Sequence, residues 1–141
     1  IGRAPGRCDE AALARWHAFD LEHGWPRLPA SQVEHWTPQQ LSLERLRAFS
    51  VKKGCYPGQE IVARTHFLGQ AKRGLALLEG DAAPGADIAA GAVSLGKVVA
   101  AAHDDQRRVA LAVLPLDRVD APMQVASGPV REIPLREGLA R

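Results

Sequence analysis

The chain has 141 residues, a formal net charge of +2, 46% hydrophobic and 24% charged residues. That composition predicts one ordinary globular domain or two small ones and excludes a disordered chain. The charge is too small to argue for nucleic acid by itself, and no apolar run approaches the ~20 residues of a membrane span. Two cysteines, Cys8 and Cys55, form neither a disulfide framework nor a metal-ligand spacing, which favours a reducing cytosol. No signal peptide is visible.

Residues 1–7, rich in Gly, Pro and Arg, read as a frayed or extended segment. Asp9 is a plausible N-cap with Glu10 in the first turn, so a helix is expected over 11–22. Its best apolar stripe is Ala12, Trp16 and Phe19, and Gly24 with Pro26 marks its stop. His17 and His23 do not share a face and read as solvated or capping residues. Residues 27–40 read as a loop. Thr37-Pro38 looks like an N-cap followed by a first-turn proline, which allows a short helix over 38–47. Phe49-Ser50-Val51 alternates like a short strand.

The stretch Lys52-Lys53-Gly54-Cys55-Tyr56-Pro57-Gly58-Gln59-Glu60 concentrates cations, a thiol, glycines and an amide–acid pair. A packed core does not need that mixture. Gly54 and Gly58 permit backbone angles or close approaches that a Cβ forbids, and Pro57 restricts both itself and Tyr56. A sharp turn is expected, after which Gln59-Glu60-Ile61-Val62-Ala63-Arg64 can open a short helix that continues through 61–66 and ends at Phe67-Leu68-Gly69. Neighbouring lysines and a helix start both favour a thiolate, so Cys55 is a candidate nucleophile or redox group as well as a candidate small apolar filler.

From Lys72 the period changes. Strands are expected over 73–78, 86–90, 93–102, 107–114, 123–126 and 130–133, with Gly96 marking a bulge or tight contact and His103-Asp104-Asp105-Gln106 a polar hairpin loop. In the fourth strand, Val109, Leu111 and Val113 take one face and Ala110, Ala112 and Leu114 the other. The spacing suggests a small antiparallel barrel. Asp104-Asp105 and Arg107-Arg108 read as solvated charges at a hairpin tip, and residues 135–141 as a loose tail.

Lys53-Gly54-Cys55-Tyr56-Pro57-Gly58-Gln59-Glu60 resembles the signature K-G-C-Y-x-G-Q-E of the YgfZ-type folate-binding proteins, relatives of the glycine-cleavage T-protein; all seven specified positions match. Asp20-Leu21-Glu22-His23-Gly24-Trp25-Pro26 resembles the family segment R-I-E-A-G-x-P, with Asp20 standing where the family has Arg. Pro38-Gln39-Gln40-Leu41-Ser42-Leu43 resembles P-Q-x-L-N-L, and Gly69-Gln70-Ala71-Lys72-Arg73 resembles G-x-x-K-R. The resemblance covers about Trp16 to Val130, the C-terminal half of such a protein. The chain starts at Ile1 without an initiator Met, which points to a processed product or a fragment.

The resemblance implies an α+β fold. Residues 1–71 would be the C-terminal part of a folate-binding, aminomethyltransferase-like domain carrying the cysteine motif, and residues 72–141 a six-stranded β-barrel. It implies a cytoplasmic accessory protein for the assembly or maintenance of iron–sulfur enzymes, affecting tRNA modification indirectly through them. The implied cofactor is tetrahydrofolate and the implied partners are a folate derivative and iron–sulfur client enzymes. Cys55 would carry the chemistry; Glu22, Lys53, Tyr56, Gln59 and Glu60 would bind the cofactor. Glu22 matches the family acid that faces the pterin, and its carboxylate can accept N–H bonds from an amino-pyrimidine edge; it reads equally as a surface acid at a helix end. An aminomethyltransferase moving a one-carbon unit to tetrahydrofolate is the alternative, against which stands Cys55, where that enzyme's segment resembles K-G-D-F-x-G. One thiol is too few to hold a cluster alone, and no resident metal site is expected. Direct nucleic-acid binding is not expected either, since only 5% of residues are aromatic.

Overall fold

The computed structural model describes residues 8–69 and 71–137. The expectations for residues 1–7, for Gln70 and for the end of the tail lie outside the described residues. The order of elements is α1 (Glu10–Glu22), two short 3-10 turns (Ala30–Gln32 and Leu43–Leu46), α2 (Gln59–Leu68), then β1 (Arg73–Glu79), β2 (Asp87–Ala90), β3 (Val93–His103), β4 (Arg108–Pro115), β5 (Met123–Val125) and β6 (Gly128–Ile133). The class is α+β, as expected.

The six strands close into an antiparallel barrel in the order β1-β4-β3-β2-β5-β6. β1 runs beside β4 from Arg73↔Pro115 to Glu79↔Val109 and closes the barrel against β6 through Leu77↔Ile133 to Glu79↔Arg131. The alternation in β4 assigns its faces. Ala110, Ala112 and Leu114 join Ala76, Leu78, Ile88 and Val98 in the barrel interior. Val109 and Leu111 lie outside, under Ala18 and Leu21 of α1. Val113 also lies outside, against Leu41 and Val99, with Trp36 packed alongside. β4 is therefore buried on both sides, with six consecutive buried residues, and each fully buried Val or Leu contributes about 1.5–3 kcal/mol of transfer free energy. Gly96 is the expected tight contact: a Cβ there would meet the Val113 carbonyl oxygen at 2.0 Å. The partnered β2 shifts register beside it, between Ile88 and Ala89.

α1 starts where its cap predicts. The Asp9 carboxylate accepts from Ala12 N at 3.0 Å. It ends as Gly24 enters the left-handed region at φ +67°, with Gly24 N donating to Leu21 O at 2.9 Å and Trp25 N to Asp20 O at 2.9 Å. His23 is the C-cap residue and is buried; its Nδ1 lies 2.9 Å from Phe19 O. The capping reading of His23 holds and the solvated one does not. The face that α1 buries is a correction to the sequence reading. Ala18, Asp20, Leu21 and Glu22 are buried, whereas Ala12, Trp16 and Phe19 point outward. Trp16 and Phe19 stack at 6.1 Å on that outer face. The apolar stripe lost because the buried acids find cations: Arg27 Nε donates to Asp20 Oδ2 at 2.5 Å, and Glu22 is met by two arginines.

Two further expectations fail. Residues 38–47 form a single capped turn and a 3-10 turn, and no α-helix. The Thr37 hydroxyl accepts from Gln40 N at 3.3 Å and the Gln40 side chain accepts from Thr37 N at 2.9 Å, a reciprocal cap of the expected kind at its first half. Ser42 then adopts φ +50° and Arg47 φ +53°, which interrupts helical propagation at both ends of Leu43–Leu46. Phe49-Ser50-Val51 forms no strand.

Candidate functional site

The cysteine turn is braced by its own side chains. The Tyr56 hydroxyl donates to Ser50 O at 3.0 Å, and Gln59 Nε2 donates to Lys53 O at 3.0 Å. Lys52 N donates to Ser50 Oγ at 3.2 Å. Gly58 sits at the helix N-cap with φ +82°, where an L side chain costs about 1–2 kcal/mol. Gly54 does not need to be glycine: its φ is not positive, and nothing lies within 4 Å of the position of an added Cβ. Only one of the two glycines thus fulfils the expectation. α2 begins at Gln59, where the sequence allows a helix to open, and runs to Leu68.

This geometry presents the thiol at the surface. Cys55 is free and exposed. It opens on a cavity of about 680 Å³ whose walls include Arg47, Phe49, Ser50, Lys53 and Tyr56, a size suited to a small-molecule ligand. Lys53 and Lys52 are exposed beside it. The site thus combines an exposed thiol, three cationic side chains (Arg47, Lys52 and Lys53) and two aromatic residues, Phe49 and Tyr56.

The structure brings only some of the expected site residues together. Cys55, Lys53 and Tyr56 share the cavity. Gln59 is a brace of the turn, with its amide donated to Lys53 O. Glu60 is exposed in the first turn of α2. Glu22 stands apart from this cavity. It is buried at the end of α1, where Arg107 Nη1 donates to its Oε1 and Arg136 Nε lies 3.3 Å from its Oε2. Both oxygens are engaged, so neither an open pterin-facing carboxylate nor a surface acid describes it. The hairpin reading changes with it. Arg107 and the Asp104 side chain are not freely solvated: Arg107 Nη2 lies 3.5 Å from Asp104 Oδ2, and Asp104 Oδ1 accepts from Gln106 N and Arg107 N, each at 2.8 Å. The Gln106 N–H, with the backbone and guanidinium of Arg107, holds the Asp104 carboxyl below its ordinary range against a counteracting loss of hydration. Lys72 and Arg73 are exposed at the strand start, and Arg73 Nη1 donates to Leu95 O at 2.7 Å.

Sequence reasoning missed Gln39. It is 4% exposed, and its Nε2 donates to Val62 O at 2.9 Å, tying α2 to the Thr37 turn. Ser42 Oγ extends the tie by accepting from Leu75 N at 3.0 Å. The polar Pro38-Gln39-Gln40 run gave no hint that one of its amides is a core brace. Among the described residues no group of three or more His, Cys, Asp and Glu side chains could hold a metal ion, and no helix is long and apolar enough to cross a membrane.

No family model matches the chain. Among curated proteins it is similar to the tRNA-modifying protein YgfZ of Cronobacter sakazakii, 41% identical over 87 residues, which is 59% of this chain and 26% of that protein. It is also similar to the tRNA-modifying protein YgfZ of Escherichia coli, 46% identical over 68 residues, or 48% of this chain and 21% of that one. The matched stretch thus spans about a quarter of the length of these relatives. With its K-G-C-Y-x-G-Q-E turn and identity at this level across about half its length, the chain is similar in sequence to these YgfZ proteins.

Proposed function

We propose that this chain is the thiol-bearing portion of a folate-binding accessory protein that supports iron–sulfur enzymes in the cytosol, and through them tRNA modification. The carrying observation is the position of Cys55, exposed at a braced turn on an open cavity that also holds Lys53 and Arg47. The likeness to proteins named for tRNA modification supports the setting. An effect routed through a client enzyme suits a chain with only 5% aromatic residues better than direct RNA contact does.

Tetrahydrofolate fits this surface in part. Lys53 and Arg47 suit the anionic glutamate end of a folate, and the rings of Tyr56 and Phe49 suit its aromatic portion. Glu22 does not fit as drawn, because Arg107 donates to its Oε1 and Arg136 is ion-paired with its Oε2. In this reading Lys53 and Tyr56 orient the ligand, Gln59 keeps the turn rigid, Glu60 borders the helix start, and Glu22 acts by holding the barrel to α1. When bound, the folate supplies one-carbon chemistry. Cys55 supplies a nucleophilic or redox-active sulfur, alone too few for a cluster and therefore shared with a client.

The test is complementation in cells lacking the full-length protein. A full-length version carrying Cys55→Ala is expected to fold, by circular dichroism and thermal unfolding, yet to leave an iron–sulfur enzyme without support. Full rescue by that variant removes the thiol from the mechanism.

A further inference from the structure

We propose a second ligand site, for a small molecule that carries both an N–H donor and an anionic group, in the cavity between the Thr37 turn, the C-terminal end of α2 and the start of β1. The cavity measures about 420 Å³ and its walls include Gln39, Ser42, Glu44, Thr65, His66 and Arg73. None of these residues lines the Cys55 cavity, so the site is separate from the proposed thiol chemistry.

Gln39 carries the inference. Its side chain is buried and its amide is fixed, because Nε2 donates to Val62 O. Oε1 of the same amide has no hydrogen-bond partner. An acceptor sealed from water and left unmade is costly, and native structures keep few of them. A ligand N–H would satisfy it. With one Nε2 proton held by Val62 O, the unmade group is the acceptor Oε1, which a ligand N–H would pair.

The remaining walls supply the second half of the recognition. Arg73 brings a guanidinium, of which Nη1 is donated to Leu95 O, and His66 lies exposed in the last turn of α2. Both suit an anion. His66, Arg73 and Leu116 form the exposed side of the cavity, the side from which a donor would approach the Gln39 oxygen. Ser42, which also lines the cavity, is held at φ +50° by the architecture that ties its hydroxyl to Leu75 N, and backbone held in this region gathers at ligand sites. Two sources fit one chemistry: a nucleotide with its exocyclic amine and phosphate, or an amino acid with its ammonium and carboxylate.

The experiment follows the Gln39 side-chain amide and the His66 ring by proton–nitrogen NMR during separate titrations with adenosine monophosphate, L-alanine and inorganic phosphate. Saturable shifts at both residues with the nucleotide or with the amino acid support the site and identify the source. Phosphate alone is expected to move His66 only. Gln39→Leu should weaken binding at least tenfold, and His66→Ala, at an exposed position that leaves the fold intact, several-fold. The proposal is overturned if neither organic probe moves the Gln39 amide, if phosphate binds as tightly as the nucleotide, or if His66→Ala binds like the unaltered protein.

Discussion

Arg107, in the turn between β3 and β4, donates to the carboxylate of Glu22, 85 residues earlier at the end of α1. Arg136 approaches the other oxygen of the same carboxylate, and its backbone N donates to Glu22 O at 2.7 Å. A helix end, a hairpin and the segment after β6 are thus gathered on one buried acid.

Glu22→Gln is expected to lower stability by about 1–3 kcal/mol, the range for losing a charge-assisted hydrogen bond at a buried site. The guanidinium of Arg107 is partly exposed, which keeps the loss below that of a fully enclosed pair. Urea unfolding of Glu22→Gln, Arg107→Gln and the double variant measures it. A coupling energy of about 0.5–3 kcal/mol is expected, and simple additivity would show that the two side chains do not depend on each other.

Asp104 sets a pH dependence of stability. The Gln106 N–H and the Arg107 groups lower its carboxyl pKa in the folded chain. A depressed folded value means that its stabilisation is complete above the ordinary aspartate range and is lost as pH falls towards the folded value. Thermal unfolding followed from neutral pH downwards should therefore show a steeper acid decline for the natural chain than for Asp104→Asn. Parallel declines would contradict the assignment.

Gly96→Ala should destabilise the barrel more than any other single methyl addition in β3, because the new carbon meets the Val113 carbonyl rather than a yielding side chain. A loss of about 1–3 kcal/mol or more follows from overpacking of this kind. A melting temperature within a degree of the unaltered chain would show that β3 and β4 separate without cost.

The two glycines of the cysteine turn should behave differently. Gly58→Ala pushes a left-handed residue into strain and is expected to cost about 1–2 kcal/mol. Gly54→Ala, with negative-side backbone and open space around it, should be neutral or stabilising by up to about 1 kcal/mol through the unfolded chain. Equal effects would mean that the turn is not held as described.

The barrel was legible because its signals are local. Alternation in 109–114 predicts the two faces of β4, and both are buried for separate reasons, one by the interior and one by α1. The cysteine turn was legible from Pro57, Gly58 and its lysines. α1 was misread on its face, although its ends were right. Trp16 and Phe19 outweigh Ala18 and Leu21 in apolar area, but Asp20 and Glu22 sit beside the latter and are neutralised by Arg27, Arg107 and Arg136. Two of those three cations come from distant sequence, so periodicity could not foresee them. The same holds for Gln39, whose partner is the Val62 carbonyl across the cysteine turn, and for Ser42, whose positive φ breaks a segment that composition allows to be helical.

The strand order returns on itself, with β6 hydrogen-bonded to β1. A closed ring leaves no free rim for a foreign chain to extend by strand addition. Whatever docks on the barrel wall must therefore be met by outward side chains, and the backbone of the described strands is spent within the ring.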